Sequence, residues 1–194
     1  MAPAQQFLNR LLSMLLLVLS SPGFAAGPEQ TKVEARRDGD AVLIEAVARM
    51  VADRATAWEV LTGYDRYAEF IPDLTMSRIR ARTGNAVIVE QKGEVGFFLF
   101  HFPMEVTFSV TEEPPSAIHS RAISGTFKEM TGGYVLTEEG ELLRLNYSGR
   151  LVPQFRLPPL IGTAAVKSAI QKQFGALVKE IQRRSALLRQ HAPQ

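Results

Sequence analysis

Residues 98–110 have the sequence FLFHFPMEVTFSV, in which every second residue is large and apolar. The apolar positions are Phe98, Phe100, Phe102, Met104, Val106, Phe108 and Val110. Because side chains on a β-strand point alternately to its two faces, the stretch predicts a long strand with one apolar face. Burying these side chains would contribute roughly 10–20 kcal/mol before chain entropy is subtracted. A packed core explains the pattern, and a cavity lined by the same face is the alternative.

A long amphipathic helix near the C-terminus supplies a cover for this face. Residues 160–188 predict the helix, because at about 100° per residue their apolar side chains fall on one stripe. The stripe comprises Val166, Ile170, Phe174, Leu177, Ile181 and Leu188. We expect it to lie on the apolar face of a curved sheet. A gap between the sheet and the helix would hold an apolar molecule.

The rest of the pattern completes an α+β fold. A first strand is predicted over 41–51, followed by two short helical segments, one starting at about Arg54 behind an Asp53 cap and one over 64–71. The later strands are predicted over 74–82, 86–95, 98–112, 118–124, 127–137 and 142–152. The expected architecture is a curved antiparallel sheet of about six to seven strands wrapped around the long C-terminal helix.

The N-terminus has the layout of a secretory signal peptide. Arg10 precedes the apolar run 11–19, and Pro22, Gly23 and small residues follow it. We therefore expect a signal peptide over 1–25, a linker over 26–40, a domain over 41–190 and export to the periplasm. An uncleaved membrane anchor is the alternative, although the run is shorter than the roughly 20 residues that span a bilayer.

Composition argues against several classes of protein. The formal net charge is +2, which falls further if Arg10 is removed, so a general nucleic-acid binder is not expected. The chain contains no cysteine, and its three histidines are far apart in sequence, so we predict no metal and no cofactor.

Lys172, Lys179 and Arg183 cluster on the last helix. They predict a weak membrane-surface contact, with a merely solvated face as the alternative.

Three strings carry a resemblance to a known family. They are AWEVLTGYDRYAEFIP at 57–72, GTFKEMTGGY at 125–134 and VPQFRLPPLIG at 152–162. The chain resembles the START-like (SRPBCC, helix-grip) superfamily, and within it the polyketide cyclase/dehydrase and coenzyme Q-binding group, over about residues 42–184. The resemblance implies a helix-grip fold with a ligand between sheet and helix. This fold hosts lipid carriers, hormone receptors and cyclases alike.

The predicted ligand site combines the apolar strand, the helix stripe and two polar residues. Its members are Phe98, Phe100, Phe102, Met104, Arg121, Tyr147, Ile170 and Phe174. Arg121 and Tyr147 would reach a polar head on an otherwise apolar ligand. The alternatives are an outer-face arginine and a core tyrosine.

The predicted function is an exported binding protein or carrier for a small hydrophobic ligand such as a lipid, a quinone or a polyketide-like molecule. A polyketide-type cyclase or dehydratase is the second hypothesis. It needs an acid or base with a shifted pKa in the pocket, and no residue is assigned a catalytic role. A protein-interaction module with a filled core is the third hypothesis.

Overall fold

The computed structural model describes residues 31–97, 100–154 and 159–191 of the 194-residue chain, apart from the side chains of 95–97, 100–102 and 159–161. Within these ranges the chain forms one sheet of eight antiparallel strands and a long C-terminal helix. The predicted α+β class is therefore confirmed, with eight strands in place of six to seven.

The sheet is an antiparallel meander of six consecutive strands, and the first two strands of the chain extend it at one end. The strands are β1 (Lys32–Asp38), β2 (Ala41–Met50), β3 (Leu74–Thr83), β4 (Ala86–Phe97), β5 (Phe100–Glu113), β6 (Ala117–Gly125), β7 (Phe127–Glu139) and β8 (Leu142–Pro153). Their order across the sheet is β1-β2-β8-β7-β6-β5-β4-β3. Every sequential pair from β3 to β8 is antiparallel, and β8 returns to pair with β2.

Strand β1 lies inside the stretch that the sequence predicts to be a linker. It pairs with β2 from Lys32 opposite Val47 to Asp38 opposite Ala41. Only Val33 is buried in this strand, and charged side chains fill most of its other positions. Charged residues are a usual feature of edge strands, so the alternation that marks a strand is weak here. The prediction of a linker over 26–40 is therefore wrong for residues 32–38.

The first helix and the short helical segment that follows it connect β2 to β3. Helix α1 (Arg54–Thr62) begins behind Asp53, whose Oδ2 accepts a hydrogen bond of 2.8 Å from the Thr56 backbone N–H. This interaction confirms the predicted cap and satisfies one of the free N–H groups at the helix start. A single 3-10 turn (Tyr64–Arg66) and helix α2 (Tyr67–Phe70) follow.

The C-terminal helix α3 (Pro159–His191) packs on the inner face of the sheet. Phe174, Leu177, Val178 and Ile181 are buried in one cluster with the inward residues of β2 and β8, including Ala46, Ala48, Leu143 and Leu145. Leu188, which the sequence places on the same stripe, is 60% exposed. No helix in the described part of the chain is long and apolar enough to cross a membrane.

Glu180 anchors the polar side of α3. Its carboxylate accepts hydrogen bonds of 2.7 and 2.8 Å from the guanidinium of Arg183 and one of 2.7 Å from Arg184. Arg184 also lies 6.0 Å from the centre of the Phe70 ring, which links α3 to α2. The hydrogen bonds from Arg183 and then from Arg184 outweigh burial and lower the pKa of Glu180 to about 2.

This lowered pKa predicts a pH-dependent stability. In the unfolded chain Glu180 titrates near its ordinary pKa of 4.5, so its contribution is complete above that pH and is lost as the pH falls toward 2. We expect Glu180→Gln to lose less stability than the parent between about pH 6 and about pH 3, measured by urea unfolding. Glu59→Gln, at an exposed position on α1, is the control. An equal loss in parent and Glu180→Gln would contradict the prediction.

Candidate ligand-binding cavity

A cavity lies between the inner face of the sheet and α3, and it has two adjoining compartments. The first compartment has a volume of about 140 Å³ and is lined by residues of the strands β3 to β8, of α3 and of the helical segment after α1. The second has a volume of about 120 Å³ and lies toward the start of α3, against Ile44, Phe127, Leu151 and Val166. The walls of both compartments are mainly aliphatic and aromatic.

The two compartments share one boundary. Six residues line both of them: Met104, Met130, Thr131, Tyr147, Ile170 and Gln173. Methionine is unbranched and changes rotamer at little cost, so a boundary containing two methionines is adaptable. One elongated molecule can therefore occupy both compartments if Met104 and Met130 move aside.

Two glycines make room for the ring of Tyr147. Gly132 on β7 and Gly149 on β8 are cross-strand partners. A Cβ atom on Gly149 would lie 2.6 Å from Tyr147 Oη, and one on Gly132 would lie 2.8 Å from the same oxygen. The absence of side chains lets the ring lie over the backbone of both strands. The ring of Tyr134 stacks beside it, with 4.9 Å between the ring centres.

Two further tyrosines close the first compartment from the segment that follows α1. Tyr67 Oη donates a hydrogen bond of 2.6 Å to the Leu61 carbonyl, and the Tyr64 and Tyr67 rings meet edge to face. Tyr64 Oη is buried without a hydrogen bond of ordinary geometry to the described residues, although the charge of the Glu112 carboxylate lies close enough to act on it. Glu112 is itself paired with Arg82.

The cavity tyrosines remain protonated at neutral pH. Burial is the main cause that raises the pKa of Tyr64, Tyr67 and Tyr134 well above the ordinary value, and it raises the pKa of Tyr147 to about 12. The hydroxyls of Tyr64, Tyr134 and Tyr147 can donate hydrogen bonds to a bound molecule, whereas that of Tyr67 already donates to Leu61. They are not available as general bases near neutral pH.

Residues 33–178 match a family model described as polyketide cyclase / dehydrase and lipid transport. The match covers most of the chain and spans β1 to the middle of α3. The chain belongs to this family. No curated protein compared with the chain matches it.

Solved structures share the fold of this polyketide cyclase/dehydrase and lipid transport domain. An aromatase/cyclase from a Streptomyces species superposes with a TM-score of 0.62 at 16% identity, covering 75% of this chain and 94% of that one. A STAR-related lipid transfer protein from Xanthomonas axonopodis gives a TM-score of 0.63 at 14% identity, with 81% and 97% covered. A START superfamily protein from Mycobacterium smegmatis gives 0.59 at 14% identity, with 75% and 98% covered. These likenesses confirm the START-like fold.

Within the family domain, four predicted site residues meet in the cavity. Met104, Tyr147 and Ile170 line both compartments, and Phe174 lines the first. That they contact a ligand stays a prediction. Phe98 lies outside the described residues. Phe100 and Phe102 belong to β5, at positions where the structure describes no side chains.

Arg121 does not line either compartment. Ile118 on β6 is buried in the core, and the strand alternation therefore turns His119 and Arg121 to the opposite face of the sheet. There Arg121 lines a wide depression of about 710 Å³ together with His119 and Arg150. The prediction that Arg121 belongs to the cavity wall is therefore corrected, and the alternative of an outer-face arginine fits its position.

The sequence analysis missed Met130, Thr131 and Gln173 at the boundary. Met130 alternates with Gly132, Tyr134 and Leu136 on the inner face of β7, a pattern that two glycines in the middle of the strand obscure. Gln173 follows Ile170 by three residues on α3, so it lies at the edge of the apolar stripe. Helical spacing would have identified it, but its polar side chain is atypical of a core face.

The described residues contain no group of three histidine, cysteine, aspartate or glutamate side chains placed to hold a metal ion.

On the basic face of α3, Lys172 Nζ lies 3.3 Å from Asp73 Oδ2, and Arg183 is paired with Glu180. These pairings reduce the charge available to a membrane surface. The weak membrane contact stays a prediction.

Proposed function

We propose that the protein binds or carries a small hydrophobic molecule between the sheet and α3. The observation that carries the proposal is the two-compartment cavity with its aliphatic and aromatic walls. Ligand sites of this type hold their ligand mainly by apolar burial, and a few polar groups set its orientation. Each compartment is close in volume to an apolar cavity of about 150 Å³ that binds benzene, so a ring or a short chain segment fits in each.

Lipids, quinones and polyketide-like aromatics are the candidate ligands. Membership of a family described as polyketide cyclase / dehydrase and lipid transport supports a hydrophobic ligand of this range. A lipid transfer protein and an aromatase/cyclase both have this fold, which keeps the lipid and the polyketide candidates open. Export to the periplasm rests on residues 1–25 alone and remains a proposal from the sequence.

A cyclase or dehydratase is the second candidate, and the chemistry of the cavity wall ranks it below binding. Proton transfer needs an acid or base whose pKa lies near the working pH. The described lining residues include no carboxylate and no histidine, and the lining tyrosines have raised pKa values. A protein-interaction module with a filled core would leave no space between sheet and helix, and the cavity argues against it.

The proposed function predicts saturable binding of a neutral fluorescent probe. Titration with 1-N-phenylnaphthylamine should give a fluorescence increase that saturates at about one molecule per chain, since the compartments adjoin. The same titration after heat unfolding is the control. A fluorescence rise that grows linearly with probe concentration, or one that persists in the unfolded chain, would contradict a specific cavity.

A further inference from the structure

Among the described residues, the walls of the two compartments lack a charge that faces the cavity. All described residues that line the first compartment are uncharged. The second compartment includes Arg150, but this side chain is bound elsewhere: its guanidinium lies 3.2 Å from Asp38 and 3.2 Å from Glu129. A buried charge without a partner is strongly unfavourable. The described walls therefore offer no oppositely charged partner for a carboxylate or an ammonium group.

Besides the tyrosine hydroxyls, neutral polar groups are present, and the one with unused hydrogen-bonding capacity on α3 lies at the boundary. Away from the boundary, Gln91 Nε2 donates to Ser77 Oγ at 3.2 Å, and Ser120 Oγ donates to the Gly132 carbonyl at 3.0 Å. At the boundary, the Gln173 amide lines both compartments, whereas the Thr131 side chain points to the outer face of the sheet with its cross-strand partners Arg121 and Arg150. The Gln173 side chain has no hydrogen bond to another described residue, so it can bind a polar atom of a guest.

We propose that the cavity selects an uncharged molecule whose apolar parts fill the two compartments and whose one neutral polar group, a hydroxyl or a carbonyl, is bound by the Gln173 amide. This inference rests on the proposed function. It excludes fatty acid anions as the preferred ligands and selects among the candidate lipids and aromatics. A side-chain amide has both N–H donors and a carbonyl acceptor, which suits alcohols and ketones alike.

Displacement of 1-N-phenylnaphthylamine tests this inference with ligands matched in length. At about pH 8, where a carboxylic acid is ionised, 1-decanol should displace the probe at a concentration at least about tenfold lower than decanoate does. Equal displacement by decanol and decanoate would overturn the inference. Because the probe is neutral, its own saturable binding would still support the proposed function in that case.

A substitution at the boundary tests the role of the Gln173 amide. Gln173→Leu keeps a similar volume and should weaken decanol binding by about three- to tenfold, while displacement by decane is unchanged. Gln171→Leu, at the exposed position two residues away on α3, is the matched control and should change neither value. Unchanged decanol binding in Gln173→Leu, or an equal loss of decanol and decane binding, would overturn the assignment of Gln173.

Discussion

Gly93→Ala is expected to lower the free energy of unfolding by about 2–4 kcal/mol. Gly93 on β4 pairs with Leu74 at the start of β3. A Cβ atom at this position would overlap the carbonyl oxygen of Asp73 and lie 3.0 Å from Leu74 Cα. These are backbone atoms, so the clash cannot be relieved by a rotamer change. Relief requires β3 to move away from β4 at the point where Asp73 accepts the Glu94 N–H hydrogen bond of 2.8 Å.

A glycine-to-alanine substitution at residue 175 should have the opposite effect on the free energy of unfolding. Gly175 lies inside α3, and a Cβ atom there meets nothing within 4 Å. Because glycine costs a helix interior about 1 kcal/mol relative to alanine, Gly175→Ala should raise the free energy of unfolding by up to that amount. Urea unfolding of the parent and both variants measures the two changes together. A Gly93→Ala variant as stable as the parent would show that β3 and β4 do not approach as closely as described.

Ile170→Trp is expected to reduce the affinity for 1-N-phenylnaphthylamine by at least about tenfold, with a small change in melting temperature. Ile170 is half-buried and lines both compartments, so an indole at this position occupies space on either side of the boundary. If the space were a packed core instead, the larger side chain would overpack it at a cost of about 1–3 kcal/mol. Probe titration and thermal unfolding separate the two cases.

Gln171→Trp controls for the added ring. Residue 171 is the next position on α3 and is exposed, so the same indole there should leave both probe affinity and melting temperature close to the parent values. A lowered melting temperature in Ile170→Trp, together with no saturable probe binding in the parent, would contradict the cavity. That result would favour the interaction module with a filled core over both the carrier and the cyclase.

Local and periodic features were predictable from the sequence. The alternation through Met104, Val106 and Val110 predicted the inner face of β5, and the helical stripe through Phe174 and Ile181 predicted the buried face of α3. The cap at Asp53 follows from a carboxylate placed just before a helix. Each of these features depends on residues close together in the chain, where backbone geometry fixes which side chains share a face.

The tertiary structure decided the features that depend on pairing between distant segments. Strand β1 forms because it pairs with the edge of β2, although its charged residues give only a weak strand pattern in the sequence. Arg121 faces away from the cavity because a strand side chain has only two directions, and the register of β6 assigns it the outer one. The boundary between the compartments joins residues from β5, β7, β8 and α3, which meet only after the sheet curves around the helix. Sequence periodicity reports the face that a residue occupies, whereas the space between two faces depends on how every opposing side chain packs.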